Sequence, residues 1–362
     1  MAAAPHRDWA NDLPTEILVE ILLLAKDISD VPFSESHNPW LLAQICGRWR
    51  SVAICTPRLW SSVMLFSPTH FRLHSRHIEA VVGSLALFIP RSGQLSLKLS
   101  LDARWSHKNR DALMALLLPH SGRWDDLHIH YLDPSSKRQM LTMLKSHDLA
   151  SLKTLRFSES SFGLWDPDPF HMVFYHVTSL RLTKCSTDLL TRITTPHLDH
   201  LELKECGVLD FITGLDITSF LRRSACLTRL ALLRTPMNEF DLVALLKLLP
   251  ALVELEIDYA DLVFNRISDI LLTSLHSRLT IPCVVPKLQR VSLGDLAHSS
   301  AELLLDMLES RTSDEMGCTP LQSAQLQTST SFSVQTMLRF DVLCESGMSV
   351  GIREELGDMA DT

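Results

Sequence analysis

The chain has 362 residues, of which 46% are hydrophobic, 21% charged and only 12 glycine. It is too long for one small core and too apolar to be disordered throughout. A formal net charge of -8 with no long Lys/Arg block argues against general nucleic-acid binding.

The opening stretch, MAAAPHRDWANDLP, has no apolar run of signal-peptide length. The two most apolar windows are interrupted, EILVEILLLA by Glu20 and LVALLKLLPALVEL by Lys247 and Pro250. Both fall short of the ~20 clean apolar residues of a membrane span. The eight cysteines are scattered and form no CxxC pair. Reduced thiols and a cytoplasmic or nuclear location are therefore expected, with no membrane partner.

Residues 1–10 read as a flexible terminus, and 11–66 as a small helical module. Pro14 suits a first helical turn and Glu16 complements the positive helix end. Leu13, Ile17, Ile21 and Ala25 share one face, with Leu18 and Leu22 forming a second stripe beside it. So much apolar surface predicts a helix that is wholly buried or shared with a partner. Asn38-Pro39 signals a second helix, whose apolar face is Leu41, Leu42, Ile45, Cys46 and Trp49. Thr56-Pro57 signals a short third helical segment, RLWSSV. Trp40, Trp49 and Trp60 crowd a module too small to cover them alone.

LPTEILVEIL followed by QICGRWRSVAICTPRLW resembles an F-box, in the lengthened F-box-like form abundant in mushroom-forming fungi. The resemblance rests on Leu13-Pro14, Glu16-Ile17, Cys46, Trp49 and Leu59-Trp60 in order; the stretch from Lys26 to Pro39 is longer than in a compact F-box. It implies docking on the Skp adaptor of a Skp–cullin–F-box ubiquitin ligase, and through Skp on cullin. The implied Skp-binding residues are Leu13, Pro14, Ile17, Leu18, Ile21, Leu22, Leu42, Cys46, Trp49, Leu59 and Trp60, with Trp49 and Trp60 bracing the helices from behind.

Over 67–310 a leucine-rich template, L-x-x-L-x-L, recurs as WDDLHI, LKTLRF, VTSLRL, LDHLEL, LTRLAL, LVELEI and LQRVSL, with SGQLSL at 92–97 as a possible further unit. Its central positions are Leu127, Leu155, Leu180, Leu201, Leu230, Leu255 and Val291. Short strands are predicted at each, because residues two apart share a face. Stretches between them, such as NEFDLVALLKLL at 238–249, have helical periodicity. Cys185 and Cys206 each fall three residues after a strand's last apolar position, where packed thiols are expected. The fold expected is α/β, a three-helix F-box-like module followed by a degenerate leucine-rich-repeat solenoid. The Ser/Thr/Gln-rich run at 311–333 reads as a polar loop, and 334–362 as a capping helix and strand with a tail.

Catalytic patterns are weak. His70, His74 and His77 lack the glutamate of an HExxH helix; His128 and His130 lack a third zinc donor; Asp166 and Asp168 sit between prolines in a turn. No G-x-S-x-G elbow, P-loop or dinucleotide-binding glycine signature occurs. The expectation is a non-enzyme without metal or cofactor that recruits a protein substrate for ubiquitin transfer; the alternative is a scaffold acting without ubiquitylation. Candidate substrate contacts are the outward-facing strand positions His128, His130, Arg156, Arg181, Glu202, Lys204, Leu233, Glu256 and Asp258, running from basic to acidic along the chain, with Ala231 beside Leu233.

Overall fold

The computed structural model describes residues 13–27, 40–65, 76–132, 134–159, 171–186, 188–206, 214–224, 226–259, 267–279, 282–294, 296, 301–313, 317–328 and 332–354. By compactness the chain divides into two units, Met1–Leu152 and Lys153–Thr362.

The first unit contains α1 (Thr15–Asp27), α2 (Gly47–Ile54), β1 (Ser62–Leu65), α3 (Arg76–Arg91), β2 (Leu97–Asp102), α4 (His107–Leu117), β3 (Trp124–Leu132) and α5 (Pro134–Lys145). The second contains β4 (Thr154–Glu159), β5 (Met172–Val173), β6 (Ser179–Thr183), α6 (Asp188–Arg192), β7 (Ile193–Thr194), β8 (His200–Lys204), α7 (Gly214–Arg222), β9 (Arg229–Leu233) and α8 (Glu239–Leu246). It continues with β10 (Glu254–Asp258), α9 (Asp269–Leu275), β11 (Arg290–Leu293), α10 (Ala301–Ser310), β12 (Ser323–Thr328), α11 (Val334–Glu345) and β13 (Ser349–Glu354).

These elements correct the expected architecture. The fold is α/β, with parallel strands ordered β1-β2-β3 in the first unit and β4-β6-β8-β9-β10-β11-β12-β13 in the second, and 11 helices among the described residues, rather than a three-helix module followed by a solenoid. A two-stranded sheet pairs β5 with β7. In the N-terminal stretch the second predicted helix is broken: Leu42–Gln44 is a 3-10 turn, Cys46 is extended at φ -157, and only then does α2 begin. The third predicted helix is a 3-10 turn, Pro57–Trp60, that leads straight into β1. Thr56 does not cap it, because its hydroxyl donates back to the Val52 carbonyl at 2.7 Å. The buried Trp60 ring lies edge-on to Phe88 of α3 at 4.8 Å, so the N-terminal helices share a core with α3.

Strand burial follows the period-2 rule. β4, β6, β8 and β10 all alternate half-buried and buried residues, with the template leucines inward. SGQLSL does not coincide with a strand, since β2 starts only at Leu97 and buries Leu97, Leu99 and Leu101. The polar run after Arg311 is not simply a loop. Its SAQLQT segment is β12, paired on both sides, with Ala324, Leu326 and Thr328 inward. The capping helix and strand expected after it are present as α11 and β13.

Side-chain oxygens start several helices. Ser106, Asn238, Ser268 and Ser333 accept from Asn109, Phe240, Ile270 and Thr336 backbone N–H groups, satisfying donors that have no partner inside the helix. Helix ends are held by arginines distant in sequence. In the second unit Arg223 donates to the Leu190 carbonyl at 2.9 Å, and Arg311 to the Leu275 carbonyl at 2.8 Å. In the first unit Arg123 donates to the Leu95 carbonyl and the Ser92 hydroxyl just past α3.

The turn after each strand is also built from side chains. Cys185 and Cys206 are buried as expected, their thiols donating to the carbonyls of Phe157 and Leu182 on the preceding strand. Thr235 fills the same slot after β9, its hydroxyl reaching the Leu203 carbonyl at 3.0 Å. To make this turn Lys184, Glu205 and Arg234 adopt φ of 55°, 51° and 47°, and their N–H groups bond the next strand at Lys204, Leu233 and Asp258. One expectation about cysteines is overturned: Cys283 and Cys318 are disulfide-bonded, while Cys46, Cys55, Cys185, Cys206, Cys226 and Cys344 are free.

Candidate protein-docking surfaces

Helix α1 has two apolar faces, and only one is used internally. Leu18 and Leu22 are fully buried. Pro14, Ile17, Ile21 and Leu24, spaced by three, four and three residues, form the adjoining stripe. Ile17 is 49% and Leu24 66% exposed, Pro14 is exposed and Ile21 half-buried. Arg48 of α2 donates to the Leu13 carbonyl and so ties the start of α1 to the next helix. Beyond α1, Leu41, Ile45 and Ile54 are exposed, while Leu42, Cys46 and Trp49 are half-buried.

The sequence-derived docking set is therefore divided. Leu18, Leu22, Leu59 and Trp60 are core residues and cannot meet a partner in the folded chain. Trp60 is a brace: its indole N–H donates to the Ala53 carbonyl at 2.8 Å, and Trp40 and Arg91 cover its ring at 5.3 and 4.6 Å. Leu13, Pro14, Ile17 and Ile21 remain available to some degree. Leu24, Leu41 and Ile45, apolar residues outside that set, are exposed as well. The stripe from Pro14 to Leu24 was legible as spacing, but nothing in the sequence says which of two equally apolar faces the core takes.

The outward strand positions also form a surface. In the first unit Ser100 of β2 is aligned with His128 of β3, and Asp102 with His130. The His128 and His130 rings lie 3.5 Å apart, and the Ser100 hydroxyl is 2.6 Å from His130 Nε2. Arg104 forms an ion pair with Asp102 at 2.6 Å and stacks on Tyr131 at 3.6 Å. No group of three or more His, Cys, Asp or Glu able to hold a metal occurs among the described residues. His70, His74, Asp166 and Asp168 lie outside them, as does the side chain of His77.

In the second unit Arg156, Arg181, Glu202, Ala231, Glu256 and Ser292 stand in register across six strands. Ser158, Thr183, Lys204, Leu233 and Asp258 form the next row. The simple basic-to-acidic gradient is blunted by pairing across strands. Arg181 meets Glu202 at 3.4 Å, Arg229 meets Asp199 at 2.7 Å, and Arg290 meets Glu254 at 3.0 Å. Beyond β10 the row turns neutral, through Ser292, Gln325 and Gly351. Glu256 differs from Arg181 and Glu202 in its row: among the described residues no cation or hydrogen-bond donor pairs with it. Burial, then the neighbouring Glu202, Glu254 and Asp258, push its carboxyl above the ordinary glutamate range. His200, in the row alongside, is held below the usual histidine range by burial and by Arg181 and Arg229.

No protein-family profile matches the sequence, and no curated protein matches it significantly. Among the described residues no helix is long and apolar enough to cross a membrane.

Proposed function

We propose that this chain is a substrate-recruiting adaptor: the N-terminal helical surface docks a Skp-type protein, and the outward rows of the sheet hold a protein substrate for ubiquitin transfer by other subunits. The observation that carries the reading is the second apolar face of α1, where Ile17 and Leu24 stand exposed beside a fully used core face. A large aliphatic side chain left in water forgoes about 1.5–3 kcal/mol of burial, which a partner would recover. The F-box-like order of Leu13-Pro14, Glu16-Ile17, Cys46, Trp49 and Leu59-Trp60 gives the partner its class. The role of the chain is then positioning, raising the local concentration of substrate near chemistry performed elsewhere.

Co-purification of the full-length protein tests this. Ile17→Asp with Leu24→Asp changes exposed residues only, so the fold should survive and Skp capture should be lost. Truncating one central apolar anchor typically costs about 2 kcal/mol of binding, near thirtyfold. Arg156→Glu or Glu256→Lys should impair substrate capture and leave Skp capture intact. Full Skp capture by the folded double variant sinks the docking assignment. Capture of Skp without cullin would favour a scaffold that acts without ubiquitylation.

A further inference from the structure

Cys283 precedes β11 and Cys318 precedes β12, so their bond ties the loops that lead into two adjacent strands. Backbone hydrogen bonds already join those loops, from the Thr319 N–H to the Pro286 carbonyl at 2.7 Å and from the Gln322 N–H to the Gln289 carbonyl at 2.8 Å. The two sulfurs therefore stay close when the bond opens. They are not equivalent: Cys318 is fully buried, whereas Cys283 is partly exposed.

A cation is fixed beside the accessible one. The fully buried Arg311 donates from Nη2 to Cys283 Sγ at 3.2 Å. Its Nε, Nη2 and Nη1 groups also donate to the carbonyls of Leu275, Val284 and Val285, at 2.8, 2.8 and 3.2 Å. Among the described residues, every acceptor bonded to this guanidinium except the sulfur is a neutral carbonyl. A thiolate at Cys283 would thus be the one anion next to a desolvated positive charge, the setting that favours thiolate over thiol. Arg223 has the same helix-capping position but bonds only carbonyls and a threonine hydroxyl. The remaining thiols differ too. Cys185 and Cys206 are buried donors to backbone carbonyls, and burial pushes the Cys206 thiol up to about 12.

We infer that Cys283 and Cys318 form a reversible redox site, with Cys283 as the nucleophilic thiol, Cys318 as the resolving thiol and Arg311 as the residue that positions and stabilises the Cys283 thiolate. With a peroxide as oxidant, the Cys283 thiolate attacks the O–O bond and takes one oxygen as sulfenic acid, while the other oxygen leaves, with protons, as water. The Cys318 thiol then displaces the sulfenic hydroxyl as a second water, forming the S–S bond. In the reducing direction a small thiol such as glutathione attacks the accessible Cys283 sulfur and expels Cys318, which takes up a proton. A second small thiol attacks the mixed disulfide, leaves as its own disulfide and releases Cys283. The site would report oxidation as a covalent tie between the lead-in loops of β11 and β12.

The test uses the full-length protein and peptide mapping by mass spectrometry. In the native chain, millimolar glutathione should open Cys283–Cys318 without denaturant, and peroxide or oxidised glutathione should close it again. A bond that opens only in denaturant, or a pair that never closes, overturns the proposal. In Cys318→Ser, the pH midpoint for alkylation of Cys283 should lie at least a unit below the ~8.5 of a free cysteine. The thiolate fraction is then about tenfold higher than that of an unperturbed thiol at neutral pH. The exposed Cys55, Cys226 and Cys344 serve as references in the same sample. Arg311→Lys should keep most of the lowered midpoint and Arg311→Met should raise it, a shift that a purely structural arginine would not produce. If Cys283 in folded Cys318→Ser titrates with the references, Arg311 does not activate it and the assignment fails.

Discussion

Replacing Trp60 by alanine should destabilise the whole first unit, not only its N-terminal helices. The side chain is fully buried, and its indole N–H reaches the Ala53 carbonyl of α2 at 2.8 Å. Its ring meets Phe88 of α3 at 4.8 Å, Trp40 at 5.3 Å and the Arg91 guanidinium at 4.6 Å. Removing a buried tryptophan costs about 3–5 kcal/mol in lost transfer energy and cavity, with the hydrogen bond contributing about 1 of this. At tenfold per 1.4 kcal/mol, the population of opened molecules should rise by roughly two to four orders of magnitude. Native-state hydrogen exchange on the full chain measures this directly. Amides of α1, α2, α3 and β2 should lose protection together and by similar amounts, because one core holds them. Trp60→Phe keeps the edge-on ring contacts and should lose distinctly less. Had the N-terminal helices been an independent module, protection would fall only within residues 13–60 while α3 and β2 kept theirs. That pattern would refute the shared core.

The second unit gives two further expected outcomes. Burial and three nearby carboxylates raise the Glu256 carboxyl, so the folded chain binds a proton more readily than the unfolded one. Its penalty is absent below the unfolded value of about 4.3 and grows as pH climbs through the folded value; Glu256→Gln should therefore raise Tm at pH 7 and give no gain below about pH 4. Thr235→Val should cost about 1–3 kcal/mol in denaturant unfolding, since it strips the hydroxyl from the Leu203 and Leu233 carbonyls and from the Cys206 N–H. Cys206→Thr, which installs the group that Thr235 already uses in the same slot, should stay within about 1 kcal/mol of the parent. An unchanged stability for Thr235→Val would show that the slot needs volume rather than donors.

Several features were legible in the residues alone because they depend on local periodicity. Leu155, Leu180, Leu201, Leu230 and Leu255 lie on the inward face of strands, since a two-residue repeat fixes which side each residue takes once a strand forms. Cys185 and Cys206 were recognisable by their distance from those leucines, and the excess apolar surface of α1 was visible as a helix with more than one face to bury.

Other features came only from packing. Whether Leu18 or Ile17 faces the core depends on what lies beneath α1, and that is α2 and the Pro57–Trp60 turn packed against it. SAQLQT looks like a loop by composition; β11 and β13 on either side supply the hydrogen bonds that make it a strand. Charge along the sheet face could be read off one residue at a time. Its meaning changed once neighbours stood in register, because Arg181 and Arg290 neutralise glutamates on adjacent strands and leave Glu256 alone among the described residues. The arginine caps and the Cys283–Cys318 pair join positions about thirty residues apart. A sequence pattern carries the period of an element, but contacts across that separation exist only when the strands are placed side by side.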